Sequence, residues 1–442
     1  MSFGFPGKLG RTFSEYLGGR GRVFVGRDVR LHSKMIQTAF VDGLLTGGVD
    51  VVDCGLVPTP ALLFAMKEAR PTAGVIVSGS HTPSEIAGIL FFLSDTGEMD
   101  PRGEKLFETI YQSEPWLHPS SERKGSVQSM EINELYLNEV AKKVGHAGGY
   151  RVVADPGNGA TCSTLTRALE AFGSSVTTIN GEPDGRFPSR PPNPQPSTLT
   201  QLSRAVKENK ADFGVGTDSD GDRALFATAD GRVLWGDLTG ALFARDELRK
   251  SGGGVVITTV NTSNIINLVC KEHEGQLIVT KVGPPAIAEA LRSTEHTIFA
   301  TEESGKHIWP NIILYGDAAL ASGKLLQIMN EEAMTLAELA ETLPKFYQLK
   351  TTIGCPDDLK DQTMKFVVDL WKGDGRTRIS TLDGLKVEYP DLTWFLVRVS
   401  GTEPLLRCSA EGKSMNEARR LLALANELAV KAMVKAKENA QR

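Results

Sequence analysis

Short apolar runs that end in glycine or polar turns recur three times along the chain, and a stretch with helical character follows each of them. The first copy covers residues 22–53, the second begins at Arg151 and the third at Gly254. A strand, a turn, a helix and a second strand form a βαβ unit, and such units build parallel or mixed sheets covered by helices. The pattern therefore predicts three related α/β domains, with helices over about 33–45, 163–172 and 263–273.

The last quarter of the chain has a different pattern. Short strands, including one at 394–399, precede a stretch from Ser414 to Lys437 whose apolar residues recur at helical spacing. The proline-rich segment 188–196 predicts an extended loop. A chain of 442 residues exceeds one hydrophobic core. We therefore expect an α/β protein of four domains, namely 1–147, 148–251, 252–347 and a distinct α+β domain at 348–442.

The segment 216–223 is the most informative of the turns. It follows an apolar strand and carries Asp218, Asp220 and Asp222 at alternate positions, with Arg223 after them. Three carboxylates this close repel one another and raise their own pKa values unless a cation sits between them. Oxygen ligands on a short loop suit Mg²⁺, which usually keeps positions open for water and substrate phosphate. The segment predicts a magnesium site and phosphoryl chemistry, with a solvated acidic turn as the alternative.

Two further loops follow apolar strands and carry groups that could react with a substrate or bind it. In the first, Ser80 lies in a turn of small residues, and His81 beside it could trade protons. A serine nucleophile needs such a base or a nearby metal. In the second, Glu302 and Ser304 alternate with Glu303, so they could share one face and bind sugar hydroxyls. The alternatives are an ordinary turn for the first loop and a capped helix start for the second.

The segment 398–407, between two expected strands, combines cations with hydroxyl groups. Arg398 and Arg407 stand at its ends, and Ser400, Gly401 and Thr402 lie between them. Arginine can bind phosphate through two parallel hydrogen bonds, and the hydroxyls add further donors. The segment predicts a site for a phosphate dianion, with a hairpin turn that bears surface arginines as the alternative.

Composition argues against several other classes of function. The net charge of −5 argues against a nucleic acid or an anionic membrane bound through bulk charge. The N-terminus lacks a signal-peptide apolar segment, and the longest apolar run, 89–93, is too short to span a bilayer, so a cytoplasmic location is expected. The five cysteines are scattered without a CxxC pair, so neither a zinc site nor a disulfide framework is indicated.

In order and spacing, these four loops resemble those of the α-D-phosphohexomutase family, which includes phosphoglucomutase, phosphomannomutase and phosphoglucosamine mutase. Segments 25–30, 55–60 and 183–188 also look like signatures of that family. The resemblance covers nearly the whole chain. It implies four domains around a central cleft, the fourth of them binding phosphate. It also implies a Mg²⁺-dependent enzyme that interconverts hexose 1-phosphates and hexose 6-phosphates.

The resemblance further implies a role for each loop. Ser80 would carry a phosphate in the resting enzyme, give it to a hexose phosphate and recover it from the resulting 1,6-bisphosphate, which would also act as activator. Arg223 would help to neutralise charge at the transferring oxygens. The Mg²⁺ ligands would be Ser80, Asp218, Asp220 and Asp222, and the substrate contacts would be Lys281, Glu302, Ser304, Arg398, Ser400, Gly401, Thr402 and Arg407.

The chain departs from the family pattern around the expected cleft. Leu90 stands where the family usually has a lysine, the usual candidate for general base, and leucine cannot move a proton. Thr82 stands where asparagine is usual, and Lys306 where histidine is common. Pro6 and Leu9 stand where the family usually has aspartate and arginine. These departures concern the rate and the substrate rather than the metal and phosphate loops.

Three interpretations follow. In the first, the chain is an active mutase in which His81, or a group in the 306–307 pair, replaces the missing base. Glu303 then favours glucose and mannose phosphates over the glucosamine branch, which usually has glutamine at this position. In the second, it is a slow or inactive paralogue that binds sugar phosphates. In the third, it is an unrelated metal-dependent phosphatase with an aspartate nucleophile at 218–222. The oligomeric state is also open, with a homodimer as one option.

Overall fold

Four β-sheets with helices packed around them make up the protein in the computed structural model, which describes residues 4–113, 124–373, 375–401 and 403–440. Three of the sheets mix parallel and antiparallel strands, and the last one is antiparallel throughout. This architecture confirms the expected fold class of three related α/β domains followed by a distinct C-terminal domain. The boundaries placed after residues 147, 251 and 347 stay a prediction.

The first sheet is built from the N-terminal third of the chain. Its elements are α1 (Gly4–Tyr16), β1 (Arg22–Arg27), α2 (Ser33–Thr46), β2 (Asp50–Leu56), α3 (Thr59–Ala69), β3 (Ala73–Ser78), β4 (Gly88–Leu93), α4 (Pro101–Ser113), β5 (Val127–Ser129) and α5 (Asn133–Val144). The strand order is β4-β3-β1-β2-β5, and only β4 runs antiparallel to its neighbour. Every residue of β3 is buried, which explains its uninterrupted apolar sequence.

The second and third sheets repeat this arrangement with four strands each. The second unit contains β6 (Arg151–Asp155), α6 (Leu165–Ala171), β7 (Ser175–Thr178), α7 (Thr200–Glu208), β8 (Phe213–Thr217), β9 (Ala224–Thr228) and α8 (Gly236–Ser251). The third contains β10 (Gly254–Thr259), α9 (Ile265–Glu272), β11 (Gly275–Thr280), α10 (Pro284–Ser293), β12 (Thr297–Thr301), β13 (His307–Ile308), α11 (Ala318–Glu332) and α12 (Leu336–Glu341). Their strand orders are β7-β6-β8-β9 and β11-β10-β12-β13.

The fourth sheet has five antiparallel strands, which the long C-terminal helix covers. Its elements are β14 (Tyr347–Gly354), α13 (Lys360–Leu370), β15 (Arg378–Ser380), β16 (Leu385–Glu388), β17 (Trp394–Val399), β18 (Leu405–Gly412) and α14 (Met415–Ala440). The strand order is β14-β18-β17-β16-β15. Leu421, Ala425 and Leu428 of α14 pack in the same apolar cluster as Val397 and Ala410 of the sheet. The helical periodicity of this last stretch is therefore confirmed.

One loop lies at the same topological position in each of the three mixed sheets. It joins a strand inside the sheet to the antiparallel strand at the edge. Loop 1 (79–87) joins β3 to β4, loop 2 (218–223) joins β8 to β9, and loop 3 (302–306) joins β12 to β13. Loop 4 (400–404) joins β17 to β18 in the fourth sheet, and residue 402 lies outside the described residues. These four loops are the segments that the sequence singled out for chemistry.

The expected helices of the three repeats are present with small shifts at their ends. The helix expected at 33–45 is α2, and those expected at 163–172 and 263–273 are α6 and α9. The last two start later because a 3₁₀ turn at Ala160–Ser163 and a bend before Ile265 take up the first residues. The segment 188–196 has neither helix nor strand. Within the described part of the chain, no helix has the length and apolar character that crossing a membrane requires.

Candidate active site

The acidic side chains of loop 2 form a buried cluster at the end of β8. One carboxylate oxygen from each of Asp218, Asp220 and Asp222 lies within 4.8 Å of the others. The Asp218 carboxylate accepts hydrogen bonds from the backbone of Gly221 at 3.0 Å and of Arg223 at 3.2 Å, so the turn itself fixes its direction. Asp220 Oδ1 and Asp222 Oδ1 are buried without a hydrogen-bond partner. Two orphaned oxygens beside a third acid fit a hard divalent cation such as Mg²⁺.

The pKa values of the three acids also indicate a site for a cation. Burial, followed by the charges of Asp222 and Asp220, raises the pKa of Asp218 well above its ordinary value. Burial and the Asp222 charge raise the pKa of Asp220 to about 6. Burial would also raise the pKa of Asp222, but the cations Lys306 and Arg223 outweigh it and hold that pKa below its ordinary value. For Asp218 and Asp220, the cations among the described residues therefore do not offset the effects of burial and of the neighbouring acids.

Loop 1 brings Ser80 to this cluster. Its Oγ lies 3.1 Å from Asp218 Oδ2 and 3.4 Å from His81 Nδ1. The backbone of Ser80 is left-handed, with φ 46°, which is uncommon for a residue with a side chain and is typical of functional turns. The amide of Ser80 donates to Ser78 Oγ at 2.8 Å, so the preceding strand end anchors the turn. The structure thus places the Ser80 hydroxyl next to the acids of loop 2, and its role in binding a metal stays a prediction.

Arg30 and Ser219 hold loops 1 and 2 together, and the sequence analysis did not single them out. The Arg30 guanidinium is buried against Asp28 and donates to the carbonyl of Ser80 at 2.9 Å and to Ser219 Oγ at 2.9 Å. Ser219 Oγ in turn donates to the Ser80 carbonyl at 2.6 Å. The only hint in the sequence was that Arg30 ends the 25–30 signature and Ser219 lies between two acids.

The 55–60 signature also reaches the acidic cluster. Thr59 Oγ1 donates to Asp220 Oδ2 at 2.8 Å, and the Thr59 amide donates to the Asp220 carbonyl at 2.8 Å. Pro58 ends the preceding extended segment, and α3 begins at Thr59 with a proline in its first turn. A proline is well tolerated there because it needs no amide donor. The start of α3 therefore supports the second of the three acids.

Loop 3 contributes a cation to the acids of loop 2. Lys306 Nζ lies 2.7 Å from Asp222 Oδ2, and both side chains are 1% exposed. The ammonium also lies 3.9 Å from the centre of the Tyr315 ring. His307, the other member of the pair considered as base, is buried with its two ring nitrogens near the hydroxyls of Thr239 and Thr301, and burial lowers its pKa to about 3. Lys306 is therefore the member of this pair that contacts the cluster.

The predicted sugar-binding residues lie on the same loop. Glu302 is 5% exposed. Burial would lower the pKa of Arg223, but the charges of Asp222 and Asp218, and after them that of Glu302, raise it. Ser304 Oγ is buried without a hydrogen-bond partner. Gly305 has φ +86°, and a Cβ there would lie 2.3 Å from the carbonyl oxygen of Ala224, so loop 3 can pack against β9 only with glycine at this position. Loop 3 is therefore fixed beside loop 2, with one hydroxyl in need of a partner.

Loop 4 gathers the cations expected for a phosphate. Arg398 and Arg407 are direct partners across β17 and β18, so both side chains leave the same face of the sheet. The Arg407 guanidinium lies 3.5 Å from Ser400 Oγ and contacts the exposed Glu403 carboxylate. Burial, opposed by Asp383, lowers the pKa of Arg398. Two like charges held this close favour an anion between them.

The remaining predicted contacts have mixed outcomes. Gly401 is exposed at the tip of loop 4, and Thr402 lies outside the described residues. Lys281 is exposed just after β11, and the amide of its neighbour Val282 donates to Asp383 at 3.0 Å. The sequence analysis missed Lys360, whose ammonium donates to the Ser400 carbonyl at 2.8 Å from the start of α13. Lys360, which is also paired with Asp357, is thus a third cation beside Arg398, Ser400 and Arg407, the group that we call the arginine cradle.

Charge interactions show that the four loops face one another. The pKa of His81 in loop 1 is lowered to about 2, chiefly by the Arg223 guanidinium of loop 2 and then by burial. Lys306 of loop 3 and Arg407 of loop 4 lower it further. Electrostatic interactions between charged side chains weaken with distance and with exposure to solvent, so these residues of the four loops lie near one another. In these surroundings His81 is a weak base, with a neutral ring beside the Ser80 hydroxyl.

The chain belongs to the phosphoglucomutase/phosphomannomutase family, whose domains it matches in order. It matches alpha/beta/alpha domains I, II and III over residues 3–117, 134–231 and 235–347, and the C-terminal domain over 354–428. A phosphoglucomutase/phosphomannomutase of Thermococcus kodakarensis is 36% identical over 437 residues, which cover 97% of this chain and 95% of that protein. A phosphoglucosamine/phosphogalactosamine mutase of Sulfurisphaera tokodaii is 32% identical over 431 residues, 95% of this chain and 93% of that protein.

Solved structures show the same fold. A phosphoglucomutase/phosphomannomutase family protein from Burkholderia thailandensis superposes with a TM-score of 0.86 at 26% identity, over 99% of this chain and 94% of that one. A phosphoglucomutase from Paramecium in an open form superposes with a TM-score of 0.75 at 16% identity, over 98% of this chain and 92% of that one. The resemblance to the α-D-phosphohexomutases is thereby confirmed, and the chain is a member of a family of phosphosugar mutases.

Proposed function

We propose that this chain is a Mg²⁺-dependent phosphohexomutase that interconverts hexose 1-phosphate and hexose 6-phosphate, with glucose and mannose phosphates as its substrates. The observation that carries the proposal is the approach of Ser80 Oγ to within 3.1 Å of Asp218, inside a buried triad of acids. A phosphatase that used one of those acids as nucleophile would not need a serine there. It would also leave the cradle of Arg398, Ser400 and Arg407 unexplained.

The acids and Ser80 Oγ would hold Mg²⁺. When bound, the ion supplies positive charge that neutralises the carboxylates and polarises the oxygens of the phosphoryl group. The two orphaned oxygens, Asp220 Oδ1 and Asp222 Oδ1, and the raised pKa of Asp218, caused by burial and by its acidic neighbours, support this assignment. Arg223 Nε lies 3.9 Å from Asp218 Oδ2 and 3.7 Å from Asp222 Oδ1 and has no hydrogen-bond partner, so its guanidinium would have a donor for the transferring oxygens.

In the first half-reaction, the phosphorus–oxygen bond to Ser80 would break while a bond to a sugar hydroxyl forms, and in the net reaction the proton of that hydroxyl would pass to Ser80 Oγ. The second half-reaction reverses these events at the other phosphate of the 1,6-bisphosphate. Positioning and charge neutralisation dominate such transfers. Glu302 and Ser304 would contact the sugar hydroxyls. The arginine cradle would hold whichever phosphate is not reacting, so the intermediate has to turn round between the two halves.

The proposal is tested by incubating the protein with glucose 1,6-bisphosphate and Mg²⁺ and measuring the intact mass. We expect one added phosphoryl group, absent in Ser80→Ala and retained in Ser84→Ala, a control in the same loop. The same samples are then given glucose 1-phosphate and mannose 1-phosphate, and conversion to the 6-phosphates is followed. A folded wild-type protein that gains the phosphoryl group but converts no hexose phosphate, glucosamine 1-phosphate included, is the slow paralogue instead. If Ser80→Ala gains the group as well, the assignment of the nucleophile is wrong.

A phosphoglucosamine mutase is the second candidate, because several curated relatives carry that name or a related one. Those proteins are 32–36% identical to this chain, in the same range as the phosphoglucomutase/phosphomannomutase relative. Glucosamine 1-phosphate therefore belongs in the same assay. A kcat/KM for glucosamine 1-phosphate at least tenfold above that for the neutral sugars would favour the second candidate.

A further inference from the structure

Glu303 stands between the two predicted sugar contacts of loop 3, but its side chain is engaged elsewhere. Glu303 Oε1 accepts a hydrogen bond from Asn261 Nδ2 at 2.8 Å. The other carboxylate oxygen forms an ion pair with Lys350 on β14 of the fourth sheet. The Lys350 ammonium also lies 4.2 Å from the centre of the Trp235 ring, just before α8. Both oxygens of Glu303 therefore have partners before any substrate arrives.

We propose that Glu303 and Lys350 are positioning residues that connect loop 3 to the arginine cradle of the fourth sheet. For its effect on catalysis this inference rests on the proposed function, whereas the link itself does not. Glu303 would not touch the sugar. It would set where Glu302 and Ser304 stand relative to the arginines that hold the distant phosphate.

The path from Lys350 to the cradle is short and rigid. In the β14–β18 ladder, Lys350 is the partner of Ser409, and Thr352 is the partner of Arg407. Arg407 thus lies on β18, two residues from Ser409, the residue that pairs with Lys350. Hydrogen-bonded neighbours in a ladder move together, so a shift of Lys350 would shift the Arg407 backbone. The side-chain exposures of Glu303 and Lys350, 19% and 26%, place the pair partly out of water, where screening is weaker.

A second contact joins the same two units on the other side of the cradle. The Asp383 carboxylate accepts a hydrogen bond from the Val282 amide at 3.0 Å and lies 3.6 Å from the Arg398 guanidinium. Between the two contacts, Trp394 and Leu396 of β17 pack with Val260 in a small apolar cluster. The third and fourth sheets thus meet at an apolar centre with a charged contact near each cradle arginine. The Glu303–Lys350 pair is the one of these contacts that ends on loop 3.

Loop 3 is the part that the link would hold in place. Within it, the amide of Glu302 donates to the Lys306 carbonyl at 2.9 Å, and the amide of Gly305 donates to the Glu302 carbonyl at 3.1 Å. Gly236 packs so closely on this turn that a Cβ would lie 2.3 Å from the Gly305 nitrogen. These amides report on the order of the loop through their hydrogen exchange. Loss of the ion pair should raise their exchange even without substrate.

The test compares the full-length wild type with Glu303→Gln, Lys350→Met and the double variant. Glutamine keeps an acceptor for Asn261 but removes the charge, and methionine keeps an unbranched apolar side chain of similar size but removes the ammonium. We expect exchange of a peptide covering 297–309 to rise at least threefold in each single variant, with little further rise in the double variant. Lys350→Arg should restore the wild-type rate. Lys431→Met, which breaks an exposed ion pair on α14, is the matched control and should leave the peptide unchanged.

Kinetics then separate positioning from general damage. With glucose 1-phosphate, we expect the KM of Glu303→Gln and of Lys350→Met to rise about five- to twentyfold while kcat stays within threefold, because Ser80 and the acids are untouched. Wild-type exchange in both single variants would overturn the link, and so would additive effects in the double variant. A wild type that converts no hexose phosphate would refute the proposed function, yet the exchange data would still decide the link. If Lys350→Met fails to fold, Glu303→Gln alone decides it.

Discussion

Lys306 is the residue whose replacement should disturb the site most clearly. Its ammonium lies 2.7 Å from Asp222 Oδ2, and both side chains are 1% exposed. At this separation an effective dielectric constant of about 20 gives an attraction of about 6 kcal/mol. Part of that attraction offsets the cost of burying the two charges, and removal of one partner of a buried pair typically costs about 3–5 kcal/mol. We therefore expect Lys306→Met to lower the free energy of unfolding by about 3–5 kcal/mol at pH 7.

Urea denaturation followed by circular dichroism measures this loss, with and without Mg²⁺. Methionine is one heavy atom shorter than lysine and keeps an unbranched apolar side chain, so the loss of the charge is the main change. Lys431→Met is the control, since its partner Glu427 is 61% exposed and exposed pairs contribute about 0–1 kcal/mol. Because Mg²⁺ supplies charge to the same acids, it should stabilise Lys306→Met by more than it stabilises the wild type. A loss below about 1 kcal/mol without Mg²⁺ would refute the reasoning.

The pH dependence gives a second check on the same variant. Burial would raise the pKa of Asp222, but Lys306 and Arg223 outweigh it and hold the pKa below its ordinary value of 3.8. A carboxyl group with a lowered pKa in the folded state contributes stability above its unfolded pKa, and this contribution is lost as the pH falls through the lowered value. The difference in stability between wild type and Lys306→Met should therefore be largest near neutral pH and should shrink below about pH 4. A difference that grows in acid would contradict this assignment.

Three further predictions concern neighbouring groups. Ser219→Ala removes a hydroxyl that donates to the Ser80 carbonyl at 2.6 Å. The free energy of unfolding, measured by urea denaturation, should therefore fall by about 1–2 kcal/mol, and phosphorylation of Ser80 should become slower. An unchanged phosphorylation rate would show that this hydrogen bond does not support loop 1. Burial raises the pKa of Asp317 to about 6. A carboxyl group with a raised pKa in the folded state stabilises the fold below its unfolded pKa, and this contribution is lost as the pH rises through about 6. Between pH 4 and pH 7 the free energy of unfolding of Asp317→Asn should therefore rise by up to about 3 kcal/mol relative to that of wild type. A difference that stays constant across that range would contradict this prediction. Compared with wild type in Mg²⁺ at a hundred times its Kd, wild type in EDTA should have a free energy of unfolding that is lower by about 2.7 kcal/mol. In Asp220→Asn, removal of Mg²⁺ should lower the free energy of unfolding by less. Equal losses in the two proteins would exclude Asp220 as a ligand.

The sequence was enough to predict the fold class because the central strands are largely apolar and each ends in a distinctive turn. β3 and β8 are buried at every residue, and loops 1 and 2 follow them directly. Local sequence could also identify the acids, because three carboxylates at alternate positions have few other uses. Periodicity alone could not show that loops 1, 2 and 3 are topologically equivalent. That equivalence depends on how β4, β9 and β13 pair at the sheet edges.

Contacts between distant parts of the chain account for the residues that the sequence analysis missed. Arg30 and Ser219 are 189 positions apart in the chain. Nothing in a local pattern distinguishes these side chains from surface residues. Lys360 looked like an ordinary first-turn lysine, and Lys350 like an ordinary residue on an edge strand. Lys360 contacts Ser400 within the fourth unit, whereas the contact of Lys350 with Glu303 follows only from the packing of the fourth unit against the third.

The departures at positions 90 and 306 have a common physical consequence. Leu90 lies on β4 and packs against the apolar core, so no proton carrier stands at that position. Lys306 adds a permanent positive charge beside Asp222, where a histidine would titrate near neutral pH. A fixed cation attracts a bound phosphoryl group in the ground state and in the transition state alike. Binding that is equal in the two states lowers KM without raising kcat. Under the proposed function, these charges would therefore favour tight binding of hexose phosphates over fast turnover, and the absence of a proton carrier at position 90 would lower the rate further.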